Sequence, residues 1–294
     1  MQQNGRRMKT ILVPTDFSER SDRAIRRAVL LARQAGAALA LVHVVDDDRP
    51  DPLVAASCDA AGALLDDQVR TIREADGVDC TARVVAAAPI TGIARTAEEA
   101  SAGLIVIGPH RRAILKDVFT GTTAERTIRA ARVPVLMANG IPTAGYAQAL
   151  VAVDLSDRSA AAAAAFSALG LGEARRTAAL YVYDVPGSGL IAGASMSAAR
   201  SREYLREEEA RAKAALNDFM RRLPPVANEL MVRPGASSPA RVILEAANEI
   251  AADLLVLGTH GRTGAGRLLL GSVADEVLRA ADRDVLVVPS AVVA

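Results

Sequence analysis

The chain has 294 residues, 51% hydrophobic but only 3% aromatic, with 35 basic and 34 acidic side chains. This length suggests about two domains, and the cores must be built from Ala, Val, Leu and Ile. A net charge of +1 without aromatic stacking platforms argues against a nucleic-acid partner, and Cys58 and Cys80 have no metal-ligand or CxxC spacing.

The N-terminal "MQQNGRRMKTILVPTDFSER" has no signal-peptide pattern. The longest nearly uncharged apolar run, "AAAAAAFSALGLG" at 160–172, is too short to span a bilayer. The expectation is a soluble, cytoplasmic protein with no membrane partner.

In chain order, "TILVPTD" reads as a strand, and Ser18 is placed to cap a helix carrying Ala24, Ala28 and Leu31 on one face. "AALALVHVV" is a second strand, followed by an Asp- and Pro-rich loop and a helix around 59–75. "VDCTARVVA" is a third strand and Ile90–Ser101 a helix. "GLIVIG" is a fourth strand, and a helix over Thr122–Ala131 leads into "VPVLMA". The strands are continuous apolar runs, as in a parallel sheet covered on both faces.

The pattern then recurs. Asp16 and Ser18 fall on Asp154 and Ser156 at an offset of 138, as does "LVHVVD" on "ALYVYD". "LIVIGPHRR" falls on "LLVLGTHGR" at an offset of 150, as does Gly121-Thr122 on Gly271-Ser272. The shift implies a 12-residue insertion between 185 and 235, with the join near "NGIPTAGY" at 139–146. The fold class expected is α/β: two tandem doubly wound, Rossmann-like domains with five parallel strands each, over 8–140 and 147–290. A long helix over 194–223 carries the stabilising pairs Glu207–Arg211 and Glu209–Lys213. "PGSGLIAGASMS" at 186–197 is either a flap over the second cleft or a loose connection.

The glycine-rich stretch 257–272, "LGTHGRTGAGRLLLGS", fails two phosphate-binding patterns. Its spacing does not give the dinucleotide fingerprint. Arg267 and Leu268 stand where a P-loop needs Lys and a hydroxyl for Mg²⁺. It fits a third pattern, G-x2-G-x9-G-[S/T], through Gly258, Gly261, Gly271 and Ser272. Gly258 ends a strand at the carboxyl edge of the sheet, where such folds bind ligands. Glycines there allow positive φ and close backbone approach to phosphate. Ser272 opens a helix whose amino end favours an anion. Ser272-x-x-Asp275 and Thr122-x-x-Glu125 also read as capping boxes, which would give the hydroxyls a structural role.

With "PTDFS", "VIGPH" and "VLGTH", this pattern resembles a tandem universal stress protein over nearly the whole chain. The resemblance implies that ATP, with or without Mg²⁺, is held in the second domain by Asp154, the segment at Leu180, Gly258, Gly261, Gly271 and Ser272, with His260 lining the cleft. The weaker first-domain set is Asp16, Gly108, Arg111, Gly121 and Thr122. Arg111 stands where Gly261 stands in the second copy, and Pro109 removes an N–H retained at Thr259. A weakened first site is favoured, although a guanidinium can also bind phosphate.

The resemblance further implies that the last strands of the copies pair within the chain as a pseudo-dimer. A homodimer of whole chains and unidentified protein partners remain open. The residues mark neither catalytic groups nor metal ligands. The readings are a stress-response regulatory protein that binds an adenine nucleotide, a slow ATPase or phosphotransferase in the same cleft, and a nucleotide-independent scaffold.

Overall fold

The computed structural model describes residues 8–109, 123–171, 176–185, 197–235, 238–259 and 270–289. The first repeat runs β1 (Thr10–Pro14), α1 (Glu19–Ala35), β2 (Ala38–Val45), α2 (Asp51–Thr71), β3 (Cys80–Ala86), α3 (Pro89–Glu99), β4 (Leu104–Ile107), α4 (Thr123–Ala130) and β5 (Val135–Met137). The second runs β6 (Gln148–Val153), α5 (Asp157–Ala168), β7 (Arg176–Tyr183), α6 (Ala198–Met220), β8 (Glu229–Pro234), α7 (Pro239–Glu249), β9 (Leu254–Gly258), α8 (Ser272–Ala280) and β10 (Asp284–Val288).

Local chemistry sets the helix ends. Ser18 and Ser156 cap α1 and α5, accepting from the Ser21 and Ser159 N–H groups. Gly36, at φ 63°, closes α1 in the left-handed region, and its N–H donates to the Ala32 carbonyl. α2 begins eight residues earlier than its apolar pattern suggests. Pro52 lies in the first turn, where a missing N–H costs nothing, and Asp51 favours the amino end.

All ten strands join one sheet in the order β3-β2-β1-β4-β5-β10-β9-β6-β7-β8. Within each repeat the pairings are parallel, and the order reverses beside β1 and β6. Those are the switch points where doubly wound folds open a crevice. β5 and β10 meet antiparallel, with Leu136 opposite Leu286, so each covers an edge the other would expose.

Alternate strand residues feed two helix layers. Ile11, Val13, Leu104, Leu136, Val256 and Leu286 face the side of α1, α2, α5 and α6. Leu12, Ile105, Val135, Leu150, Leu255 and Val285 face α3, α4, α7 and α8. Each core crosses the β5–β10 seam, so the repeats share their hydrophobic layers.

A polar knot ties the join to both repeats. Arg27 of α1 pairs with Asp284 of β10 at 2.7 Å, with both side chains buried. The Tyr146 hydroxyl and the Gly140 N–H each donate to Asp284 at 2.7 Å. The Arg27 guanidinium lies 4.6 Å from the Tyr146 ring centroid and donates to the Ala144 carbonyl. No helix among the described residues is long and apolar enough to cross a membrane.

Candidate functional site

Each switch point opens into a cleft. In the second repeat a cavity of about 330 Å³ lies between the ends of β6, β7 and β9 and the amino end of α8. Asp154, Leu180, Gly258, Gly271 and Ser272 all line it, as do Tyr181, Val182, Ile243, Leu257 and Thr259. His260 and Gly261 lie outside the described residues.

At the turn from β6 to α5, Asp154 Oδ1 accepts from the Ser156 N–H at 3.1 Å and from its hydroxyl at 2.5 Å. Between them Leu155 takes φ 64°, a left-handed conformation that disfavours a side chain. The second carboxylate oxygen, Oδ2, is buried and meets no hydrogen-bond donor among the described residues. A buried acceptor without a donor is costly, which makes this atom the cleft's strongest chemical demand.

Leu180 is buried in β7, in register with Ala152 on one side and Met231 on the other. Val182, two residues on, lies past the β6 pairing and keeps only Arg233 as a register partner. The strand therefore opens its backbone toward the cleft at Val182.

The rim is set by Thr259, whose N–H donates to the Val288 carbonyl and whose carbonyl accepts from Gly271 at 2.7 Å. That bond ties the end of β9 to the start of α8. Gly271, at φ −63°, precedes α8 as its cap residue and makes no side-chain cap bond. The expected Ser272-x-x-Asp275 capping box is not formed. Ser272 lies one residue inside the helix, and Asp275 turns to Arg279 (3.0 Å) and Arg129 (3.9 Å). Among the described residues no side chain caps the first turn of α8, which suits an anion.

The first cleft is larger, about 490 Å³, and is lined by Asp16, Gly108 and Pro109 together with Thr15, Arg20, His43 and Thr127. Arg111, Gly121 and Thr122 lie outside the described residues. Asp16 repeats the Ser18 bonds of the second copy, and Phe17 repeats the positive φ at 58°. Its other oxygen lies 3.6 Å from Arg20, and the side chain is 62% exposed. Partial burial works to raise the Asp16 carboxyl, but bonds from Ser18 and Ser21 and the Arg20 charge outweigh it and hold it below the usual range. The first cleft's carboxylate is therefore already compensated.

Two further features distinguish this cleft. His43 meets the Thr15 carbonyl through Nδ1 at 2.9 Å, so that nitrogen carries the proton, and its ring stacks on Phe17 at 4.6 Å. The buried Thr127 hydroxyl has no partner among the described residues, and Val277 occupies the equivalent position in the second repeat.

The glycines act differently from expectation. Gly108, Gly258 and Gly271 all lack positive φ. At Gly108 a Cβ would lie 2.5 Å from the Arg20 carbonyl oxygen, so close approach of α1 demands glycine there.

A family model described as the universal stress protein family matches the chain twice, over residues 8–139 and 145–289. The chain belongs to the universal stress protein family. A universal stress protein of Mycobacterium tuberculosis is 26% identical, with 96% of this chain and 97% of the relative aligned. One of Methanocaldococcus jannaschii is 29% identical over 140 residues, covering 44% of this chain and 81% of the relative. In fold, the chain is similar to a universal stress protein from Archaeoglobus fulgidus, with TM-score 0.69 and 18% identity over 95% of this chain and 98% of that one.

Within this tandem universal stress protein, sequence reading left out several residues that shape the clefts. Ser21 and Ser159 support the β1 and β6 turns and share the 138-residue offset, so the repeat itself signalled them. Thr259, named from sequence only for the N–H that Pro109 lacks, spends that N–H on the Val288 carbonyl. The positive φ of Phe17 and Leu155 has no signature in residue type.

Proposed function

We propose that the second cleft binds an adenine nucleotide, ATP in the first instance, and that the protein acts as a nucleotide-responsive regulator. The functional units are 8–140 and 147–290, with the second holding the ligand. The observation that carries this reading is the buried Oδ2 of Asp154 at the switch point, which has no donor among the described residues. It asks for a donor, which a ribose hydroxyl or an exocyclic amine supplies.

The surroundings fit the rest of such a ligand. Val182, Ile243 and Leu257 form an apolar slot for a planar base, and the volume lies within the range of small-molecule sites. The Gly271 N–H is spent on the Thr259 carbonyl, and the amino end of α8 from Ser272 on, with Gly258 and Gly261 of the pattern, supplies N–H groups and a positive dipole end for phosphate. The chemistry is that of a receptor. Fast phosphoryl transfer needs a positioned base and carboxylates for Mg²⁺, and Asp154 is committed to its Ser156 bonds and its open donor site.

Calorimetric titration of nucleotide-free protein with ATP and Mg²⁺ tests this. The expected result is one ATP per chain, lost in Gly261→Arg. In Asp154→Asn, affinity should fall about tenfold to a hundredfold, the worth of a bond to a charged acceptor. Two molecules per chain would show that the first cleft also binds. No binding would overturn the reading and leave the nucleotide-independent scaffold.

A further inference from the structure

Helices α4 and α8 run antiparallel across the seam and are bridged reciprocally. Arg129, in the last turn of α4, lies 3.9 Å from Asp275 in the first turn of α8. Arg279, in the last turn of α8, lies 3.5 Å from Glu125 in the first turn of α4. At the offset of 150, Arg129 corresponds to Arg279 and Glu125 to Asp275. This is the exchange of contacts that a two-fold interface produces.

Asp275 poses a problem for the second cleft. Ser272, Val273 and Ala274 line the cavity, and Asp275 follows them in the same turn. An acidic group there can bond the orphan N–H groups itself and repels an incoming anion. The structure avoids both effects. Asp275 Oδ2 lies 3.0 Å from Arg279 Nε, Oδ1 faces Arg129, and no side chain among the described residues caps the amino end of α8.

We infer that Arg129, a residue of the first repeat, is a positioning residue for anion binding in the second cleft, acting with Arg279 to hold the Asp275 carboxylate off the amino end of α8. The inference rests on the nucleotide reading above and adds its control: the phosphate end of one repeat's site is kept open by the other repeat. A rearrangement of α4 in the first repeat therefore changes how tightly the second repeat holds a phosphate-bearing ligand.

Titrations with ATP and with adenosine, which lacks phosphate, test it on the full chain. Arg129→Ala and Arg279→Ala should each weaken ATP about twofold to fivefold, the range for partly exposed ion pairs, and leave adenosine unchanged. Asp275→Asn should bind ATP at least as tightly as the parent. On that background Arg129→Ala should have no effect, because its target charge is gone. Equal losses for ATP and adenosine, or a loss that persists with Asp275→Asn, would overturn the inference while leaving the nucleotide reading intact. Failure of the parent chain to bind either ligand would overturn the nucleotide reading and the inference together.

Discussion

Arg27 of the first repeat and Asp284 of the second form a buried ion pair, with Nε and Oδ2 2.7 Å apart and side-chain exposures of 5% and 0%. The pseudo-two-fold does not reproduce it: Ala165 stands at the position equivalent to Arg27, and Pro134 at that equivalent to Asp284. This buried pair is therefore made at one of the two symmetry-related positions of the seam.

Removing one partner should be expensive. Arg27→Ala leaves Asp284 buried with Tyr146 and Gly140 as its remaining donors. The expected loss is about 3–5 kcal/mol, read by urea denaturation. Arg27→Met with Asp284→Leu should recover only part of it, because the apolar pair carries no desolvation cost but leaves the Tyr146 hydroxyl and the Gly140 N–H without their acceptor.

Burial pushes the Asp284 carboxyl above its ordinary value of 3.8, against the pull of Arg27, Tyr146 and Gly140. A carboxyl with a raised folded pKa binds its proton more tightly in the native state. Its stabilising contribution is greatest below 3.8 and declines as pH rises through the raised value. Asp16 has the opposite sign, contributing above 3.8 and losing that contribution as pH falls through its lowered value. Denaturation of the parent and Asp284→Asn between about pH 3 and pH 7 separates the two. The parent should lose stability relative to the variant as pH rises.

Thr127→Val should leave the fold unchanged and raise stability by about 1 kcal/mol, since a buried hydroxyl without a partner is removed at constant shape. Val277 already fills the equivalent place. Thermal or chemical denaturation measures the gain, and a loss would mean that the hydroxyl has a bonded partner in solution.

Gly108→Ala should destabilise by about 1–3 kcal/mol, because the new methyl meets the Arg20 backbone at 2.5 Å and one chain must move. The loss should be the same with and without ATP. A ligand-dependent loss would instead place Gly108 in a nucleotide site.

Much of the architecture was legible because it rests on short-range rules. Ile11–Val13 and Leu254–Leu257 read as parallel strands because both faces of the sheet are covered, and Ser18 and Ser156 announce their helices through local caps. The start of α2 was missed because Pro52 reads as loop wherever it is not recognised as a first-turn residue. The Ser272 capping box failed for a different reason. Its acid was claimed by Arg279, four residues on at 3.0 Å, and by Arg129, 146 positions away at 3.9 Å, and sequence spacing carries no information on the second rival. The same limit hid the Arg27–Asp284 pair. For the cleft, the repeat offsets located Asp154, Gly258 and Ser272, whereas the backbone opening at Val182 rather than at Leu180 depends on where β6 stops pairing.

The antiparallel meeting of β5 and β10 fixes the direction in which each half of the sheet points. The carboxyl ends of β1 to β5 face one edge of the molecule and those of β6 to β10 face the other. The two crevices therefore look away from each other. A ligand in one leaves the mouth of the other clear, and a flat partner docking on one edge touches only the cleft beneath it. A protein that reads both must wrap around the sheet or come as a pair, one at each end.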